Sequence, residues 1–250
     1  MACRAGPEKA TALARFRDRI RYLCAMTLAQ LPTRPVVPFD FSREPFLIFD
    51  FSAANPDLAR LDLTDTAEFT AYVFSRLIDA DADVGVGGYN EHRVIYRRSA
   101  HFGDTDTAET GPREIHLGID IWAAAGTPVL APLDGVVHSF ADNNRFGDYG
   151  PTIILEHDTA AGKLYSLYGH LSRESLMGLA EGQRIEAGEQ LAEIGSYPEN
   201  GDWPPHLHLQ LMRDMLGLKG DFPGVCSQSD RARFLDLCPD PNVWLRIPGL

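Results

Sequence analysis

Two segments, "GTPVLAPLDGVV" (126–137) and "EGQRIEAGEQLAEIG" (181–195), decide the architecture. Each alternates β-forming residues around glycine, proline and alanine at turn positions, and the two resemble one another. Short strands punctuated in this way predict a compact antiparallel β-core with tight hairpins. The same texture begins at residue 113 and runs to "PPHLHLQL" (204–211). That last run has period two, so His206 and His208 fall on one face of a strand. The two prolines before it restrict how the chain approaches the strand.

Upstream of 113 the pattern is mixed. Residues 9–31 place Leu13, Phe16, Ile20, Leu23 and Leu28 at helical spacing, and "LPTRP" ends that helix. "PFLIFDF" (45–51) reads as a buried strand. Residues 63–80 read as a second helix, with Asp65 and Glu68 in a capping-box pattern and Phe69, Val73 and Leu77 as its apolar face. "VGVGGYN" (84–90) reads as a flexible loop, "RVIYRRS" (93–99) as a further strand, and "GDTDTAETGP" (103–112) as a polar separator. The expected fold is mainly β with an α/β N-terminal extension. Its parts are an extension over 1–112 that packs on the core, a β-core over 113–212 and a C-terminal tail over 213–250.

The chain has 250 residues, 44% of them hydrophobic, which is enough to bury a substantial core. Its net charge is −12, and lysines occur only at Lys9, Lys163 and Lys219. With no basic stripe, neither nucleic acid nor an anionic membrane surface is an expected partner. No run of about 20 apolar residues offers a membrane span. Arg15, Arg17, Arg19 and Arg21 interrupt the apolar pattern near the N-terminus, so no secretory signal is read and a cytoplasmic protein is expected. Cys3, Cys24, Cys226 and Cys238 have no structural-zinc spacing; Cys226 and Cys238 would bridge only in an oxidising compartment.

Chemistry is carried by "REIHLGIDIW" (113–122), "LYSLYGHLSRESL" (164–176) and the HxH strand. An extended chain separates the α-carbons of His116 and Asp120 by about 13 Å, so both reach one metal only if the backbone bends, and Gly118 is the place for it. His116, Asp120, His170, His206 and His208 together exceed what one zinc needs. Three ligands leave a coordination position for water, and the remaining histidines can move protons or hold an oxyanion.

These motifs, with "AGTPVLAPLDGVV" (125–137), "YGPTIILEH" (149–157) and "GQRIEAGEQLAEIG" (182–195), resemble the lysostaphin/LytM-type zinc endopeptidases, peptidase family 23. The resemblance covers residues 113–212 and implies an antiparallel β-core of the duplicated hybrid motif kind. It implies Zn2+ held by His116, Asp120 and His208, with His170 and His206 as catalytic histidines. The implied activity is hydrolysis of a peptide or peptidoglycan-derived substrate, zinc-activated water attacking the amide carbonyl. The sequence lacks the tyrosine that some members place just before the first ligand: residue 110 is Thr, and Tyr96 is nearest upstream. "SYPENGDWPP" (196–205) is bulkier than the family's usual turn, while "YNEHRVIYRRSAHF" (89–102) and the tail resemble a cytoplasmic-looking subgroup sometimes fused to aminotransferase-like domains.

Asn90 and Glu91 are candidates for a segment that latches the metal. His157 is expected to pack on a strand or near the groove, and His92 and His101 to be surface or loop residues. Trp203 and Tyr168 are candidates for the groove or the core. A non-catalytic zinc-containing β-module acting as a binding or scaffold domain is the alternative function. A lipoyl- or biotinyl-type carrier is a third; it needs a modifiable lysine at a hairpin tip, where none of the three lysines falls.

Overall fold

The computed structural model describes residues 28–103, 111–160 and 162–250. The helix expected over 9–31 lies outside them except for a short 3-10 turn at Leu28–Gln30. The N-terminal part holds β1 (Phe46–Phe49), helix α1 (Thr66–Asp79) and β2 (Val84–Gly87). Then come β3 (Arg113–His116), β4 (Ile119–Trp122), β5 (Pro128–Leu130) and β6 (Gly135–Asn143). The long β7 (Gly150–Thr159) and β8 (Gly162–Gly169) lead to β9 (Arg184–Ile185) and β10 (Gln190–Glu193). β11 (His206–Met212), β12 (Val225–Ser227) and helices α2 (Arg231–Leu237) and α3 (Asn242–Leu245) complete the chain. The fold is mainly β, as expected.

Eight strands form one sheet in the order β1-β2-β4-β11-β8-β7-β6-β9, antiparallel except for the β1–β2 pair. β5 with β10 and β3 with β12 make two small antiparallel sheets. The two look-alike segments pair with each other, Leu130 opposite Gln190 and Gly135 opposite Ile185. β11 lies between β4 and β8 and is buried on both faces. Leu207 and Leu209 enter a core with Ile119, Ile121, Ile153 and Tyr168, leaving His206, His208 and Gln210 for the other face.

Helix α1 forms for the reasons its sequence announces. The Asp65 side chain accepts the backbone N–H groups of Ala67 and Glu68, and Phe69, Val73 and Leu77 are buried along one face. Two upstream readings need correction. "VGVGGYN" is no flexible loop: Val84–Gly87 is a buried strand pairing β1 in parallel and β4 antiparallel. Its glycines clear space, since a Cβ on Gly85 would lie 2.2 Å from the Phe49 ring. "RVIYRRS" is no strand: Ile95–Arg98 is a 3-10 turn that buries Ile95, Tyr96 and Arg98. Burial of two arginines within that segment defeats an alternation argument. The "PFLIFDF" strand forms, though Ile48 faces outward at 43% exposure. Among the described residues no helix is long and apolar enough to cross a membrane.

Phe49, Phe51 and Phe69 pack with Trp122 and Trp203 in one aromatic cluster. A 113–250 fragment would expose that cluster and deprive β4 of its β2 partner. Limited proteolysis should therefore release no stable, soluble 113–250 species, as gel filtration of the digest would establish.

Candidate metal centre and cleft

Strand register assembles the site. Asp120 on β4 and Gly169 on β8 both stand opposite His208 on β11, and Trp122 stands opposite His206. His170, one residue past β8 and at a positive φ of 62°, brings its ring to 4.1 Å from that of His206. His116 ends β3, outside the large sheet, and the chain turns through Leu117 and Gly118 into β4. A Cβ on Gly118 would lie 2.6 Å from His208 Cε1 and from the Leu209 carbonyl oxygen. The break anticipated at Gly118 is present, and glycine is needed there because the His208 ring lies against the turn.

His116 Nε2 and His208 Nδ1 are 3.0 Å apart, Asp120 Oδ1 is 3.0 Å from His208 Nδ1, and it is 3.3 Å from His116 Nε2. Among the described residues these three form the one His/Cys/Asp/Glu group close enough to share a metal. Outer partners set the tautomers. His116 Nδ1 donates to the Gly88 carbonyl at 2.8 Å, and His208 Nε2 donates to Gln210 Oε1 at 3.0 Å. With those N–H groups turned outward, each ring presents its other nitrogen inward, so three acceptors converge. That donor set calls for a cation. Donors about 2.0–2.1 Å from a tetrahedral zinc lie about 3.3 Å apart, close to the separations here.

Electrostatics favour the same protonation states. Burial, reinforced by the nearby Arg93 guanidinium, pushes His116 down to about 4. Burial alone would raise Asp120, but the Arg93 guanidinium paired with Oδ2 outweighs it and holds the carboxyl well below its usual range. Asp120 Oδ2 accepts from Arg93 Nη1 at 2.5 Å, and Arg93 Nε donates to Glu91 Oε2 at 2.7 Å.

His170 and His206 are buried beside this cluster. His170 Nδ1 donates to the Asn200 carbonyl at 2.8 Å and His206 Nδ1 to the Pro204 carbonyl at 2.7 Å. Their Nε2 atoms are thereby left as acceptors; His206 Nε2 lies 3.9 Å from Asp120 Oδ1. Burial pushes His206 down to about 4 and His170 well below its ordinary value, the neighbouring His206 ring adding to the effect on His170. Trp122 stacks on His206 at 4.1 Å between centroids. Asp120, His170, His206 and His208 line a cleft of about 630 Å³, whose walls include Tyr96, Phe102, Phe146, Tyr149 and Trp203.

The remaining candidates sort as follows. Glu91 gives its carboxylate to Phe51 N and Arg93, and Asn90 Oδ1 accepts from Arg231, so both side chains are engaged away from the cluster. His157 is buried on β7 between the Asp134 carbonyl and Ser166 Oγ. His92 is exposed and pairs with Glu114, whereas His101 lines the cleft. Trp203 lines the cleft and packs in the aromatic cluster; Tyr168 is core. No disulfide joins Cys226 and Cys238, which are buried thiols. Sequence reasoning missed Arg93, Gln210 and Tyr149, whose hydroxyl lies 3.4 Å from His208 Nε2. Gln210 carried a signal, because it continues the HxH face by one more period-two step.

Residues 114–219 match the family model described as Peptidase family M23. The chain is 35% identical over 125 residues to a DD-carboxypeptidase/endopeptidase of Neisseria meningitidis serogroup B, covering 50% of this chain and 26% of that one. It is 33% identical over 152 residues to an L-Ala–D-Glu endopeptidase of Bacillus subtilis, covering 56% and 43%. The chain thus spans less than half the length of these relatives. The catalytic domain of lysostaphin from Staphylococcus simulans is 26% identical, with 58% of this chain and 88% of that one covered and a TM-score of 0.37. Residues 114–219 are thus similar to the M23 peptidases.

Two substitutions probe the geometry. Gly118→Ala should lower stability by about 1–3 kcal/mol in denaturant unfolding, because the added methyl meets the His208 ring and a backbone carbonyl. Gln210→Leu should weaken metal affinity by about 10–100-fold in a chelator competition, because His208 loses the acceptor that sets its tautomer.

Proposed function

We propose that the protein is a zinc-dependent hydrolase of peptide or amide bonds, acting on a peptide or a peptidoglycan-derived substrate. The observation that carries this reading is the convergence of three inward-facing acceptors beside two neutral histidines in one cleft. The M23 match and the endopeptidase names of the relatives support it.

In this reading His116, Asp120 and His208 hold the zinc. When bound, zinc supplies a Lewis acid that acidifies water and polarises a carbonyl. The chain's own residues supply the rest. His206 and His170 each offer a bare Nε2, because their Nδ1 protons are committed to the carbonyls of Pro204 and Asn200. One of them takes the proton from the attacking water, and the imidazolium so formed stabilises the oxyanion before delivering that proton to the leaving amine. Stacking on Trp122 fixes the plane of His206, so the acceptor stays aimed without reorganisation. The aromatic walls exclude water from the substrate backbone and receive apolar parts of a short peptide.

The chelator-treated protein should lose turnover of a mixed panel of peptides and muropeptides, read by mass spectrometry, and regain it with zinc. His208→Ala should lose both metal and activity. His206→Ala and His170→Ala should keep about one zinc per chain by elemental analysis while slowing hydrolysis by roughly a hundredfold or more. Equal loss of zinc from His206→Ala and His208→Ala would refute the division of roles. A zinc-loaded protein with no turnover on any amide would favour a binding module.

A further inference from the structure

Arg93 is fully buried, and each of its nitrogens is engaged. Nη1 donates to Asp120 Oδ2 at 2.5 Å and to the Tyr96 hydroxyl at 3.2 Å, Nε to Glu91 Oε2 at 2.7 Å, and Nη2 to the Gly88 carbonyl at 3.2 Å. The Gly88 carbonyl is also the acceptor for His116 Nδ1, at 2.8 Å. One guanidinium therefore grips Asp120 directly and shares with His116 the group that sets that ring's tautomer. Neighbouring backbone is cleared for it, since a Cβ on Gly87 would lie 2.5 Å from Arg93 Nη2. The Phe51 and Tyr96 rings flank the guanidinium, at 5.5 and 6.0 Å from its carbon.

A fixed cation next to a metal site opposes metal binding by charge alone, so neutralising the cluster is a poor account of its presence. Geometry is a better one. A carboxylate with two open oxygens can chelate, closing the position that water or substrate must take. Here Oδ2 is occupied by Arg93 while Oδ1 faces the two histidine nitrogens. We propose that Arg93 is the positioning residue of the metal centre, holding Asp120 to one oxygen and, through the shared Gly88 carbonyl, orienting His116. This rests on the metal-site reading above. It is a role of geometry that lysine cannot fill, because a single ammonium cannot serve Asp120, Glu91 and Gly88 in the plane of a fork.

The test uses the full chain, stripped of metal by chelator and reloaded with Co2+, comparing the parent with Arg93→Lys. Near-ultraviolet circular dichroism of the metal-free proteins reports whether the variant folds. The parent should show the intense visible bands of a four-coordinate cobalt site. Arg93→Lys should show weaker bands, as Asp120 turns its second oxygen to the metal and the coordination number rises. Its zinc affinity, from competition with a chromogenic chelator, should fall by about tenfold or more, and kcat should fall more than KM changes. A folded Arg93→Lys with the parent's cobalt spectrum and zinc affinity overturns the inference alone. A parent that takes up no cobalt overturns the metal-site reading and this inference with it. If Arg93→Lys fails to fold, Glu91→Gln serves instead: it removes the brace at Nε and should shift the cobalt spectrum in the same direction, and an unchanged spectrum there overturns the inference.

Discussion

A carboxylate buried in the middle of a sheet must be compensated, and Asp120, 3% exposed, is the group to which its surroundings answer. Arg93 meets one oxygen, while His116 and His208 crowd the other. Once that carboxylate is ionised in low dielectric, histidines beside it are held by hydrogen bonds to carbonyls and to Gln210 rather than by charges of their own. The result is a pre-organised concentration of acceptors, in which proton positions follow from partners on the far side of each ring.

Asp120 is held where it is by the sheet. β11 runs between β4 and β8, so one register line carries Asp120, His208 and Gly169 side by side. A slip of one residue in either pairing would turn the histidine face of β11 into the leucine core. That core, built on Leu207, Leu209 and their aliphatic neighbours, is therefore what fixes the site's register. The N-terminal segment enters the same arrangement from the sheet edge. β2 pairs β4, and the chain beyond it delivers the Gly88 carbonyl and Arg93 to the cluster of His116, Asp120 and His208, with Glu91 bracing Arg93 from behind.

Much of this was legible in local patterns. Alternation identified β11 and placed His206 and His208 on one face, and helical spacing with Asp65 as cap identified α1. The two glycine-punctuated segments announced short strands. Other patterns misled for physical reasons. "VGVG" looked flexible because glycine is permissive, yet at Gly85 and Gly87 the missing side chain makes room for Phe49 and Arg93. "RVIYRRS" looked like a strand because its apolar and charged residues intermix, yet Arg93 and Arg98 are both buried. Periodicity assumes that charge faces water, and buried arginines break that assumption.

Composition and local pattern established which residue types were available, which of them share a strand face, and where the chain had to bend, as at Gly118. They also carried a motif set specific enough to nominate His116, Asp120, His170, His206 and His208 through a family resemblance. Long-range packing was needed to bring Arg93, 27 residues before Asp120, onto its second oxygen, and the Gly88 carbonyl onto His116. It likewise decided that Gln210 orients His208. Face and spacing are short-range properties set by backbone geometry along one element. Which distant faces meet depends on strand pairing and core packing between segments far apart in the chain, and a carbonyl or guanidinium brought in that way leaves no periodic trace in the sequence.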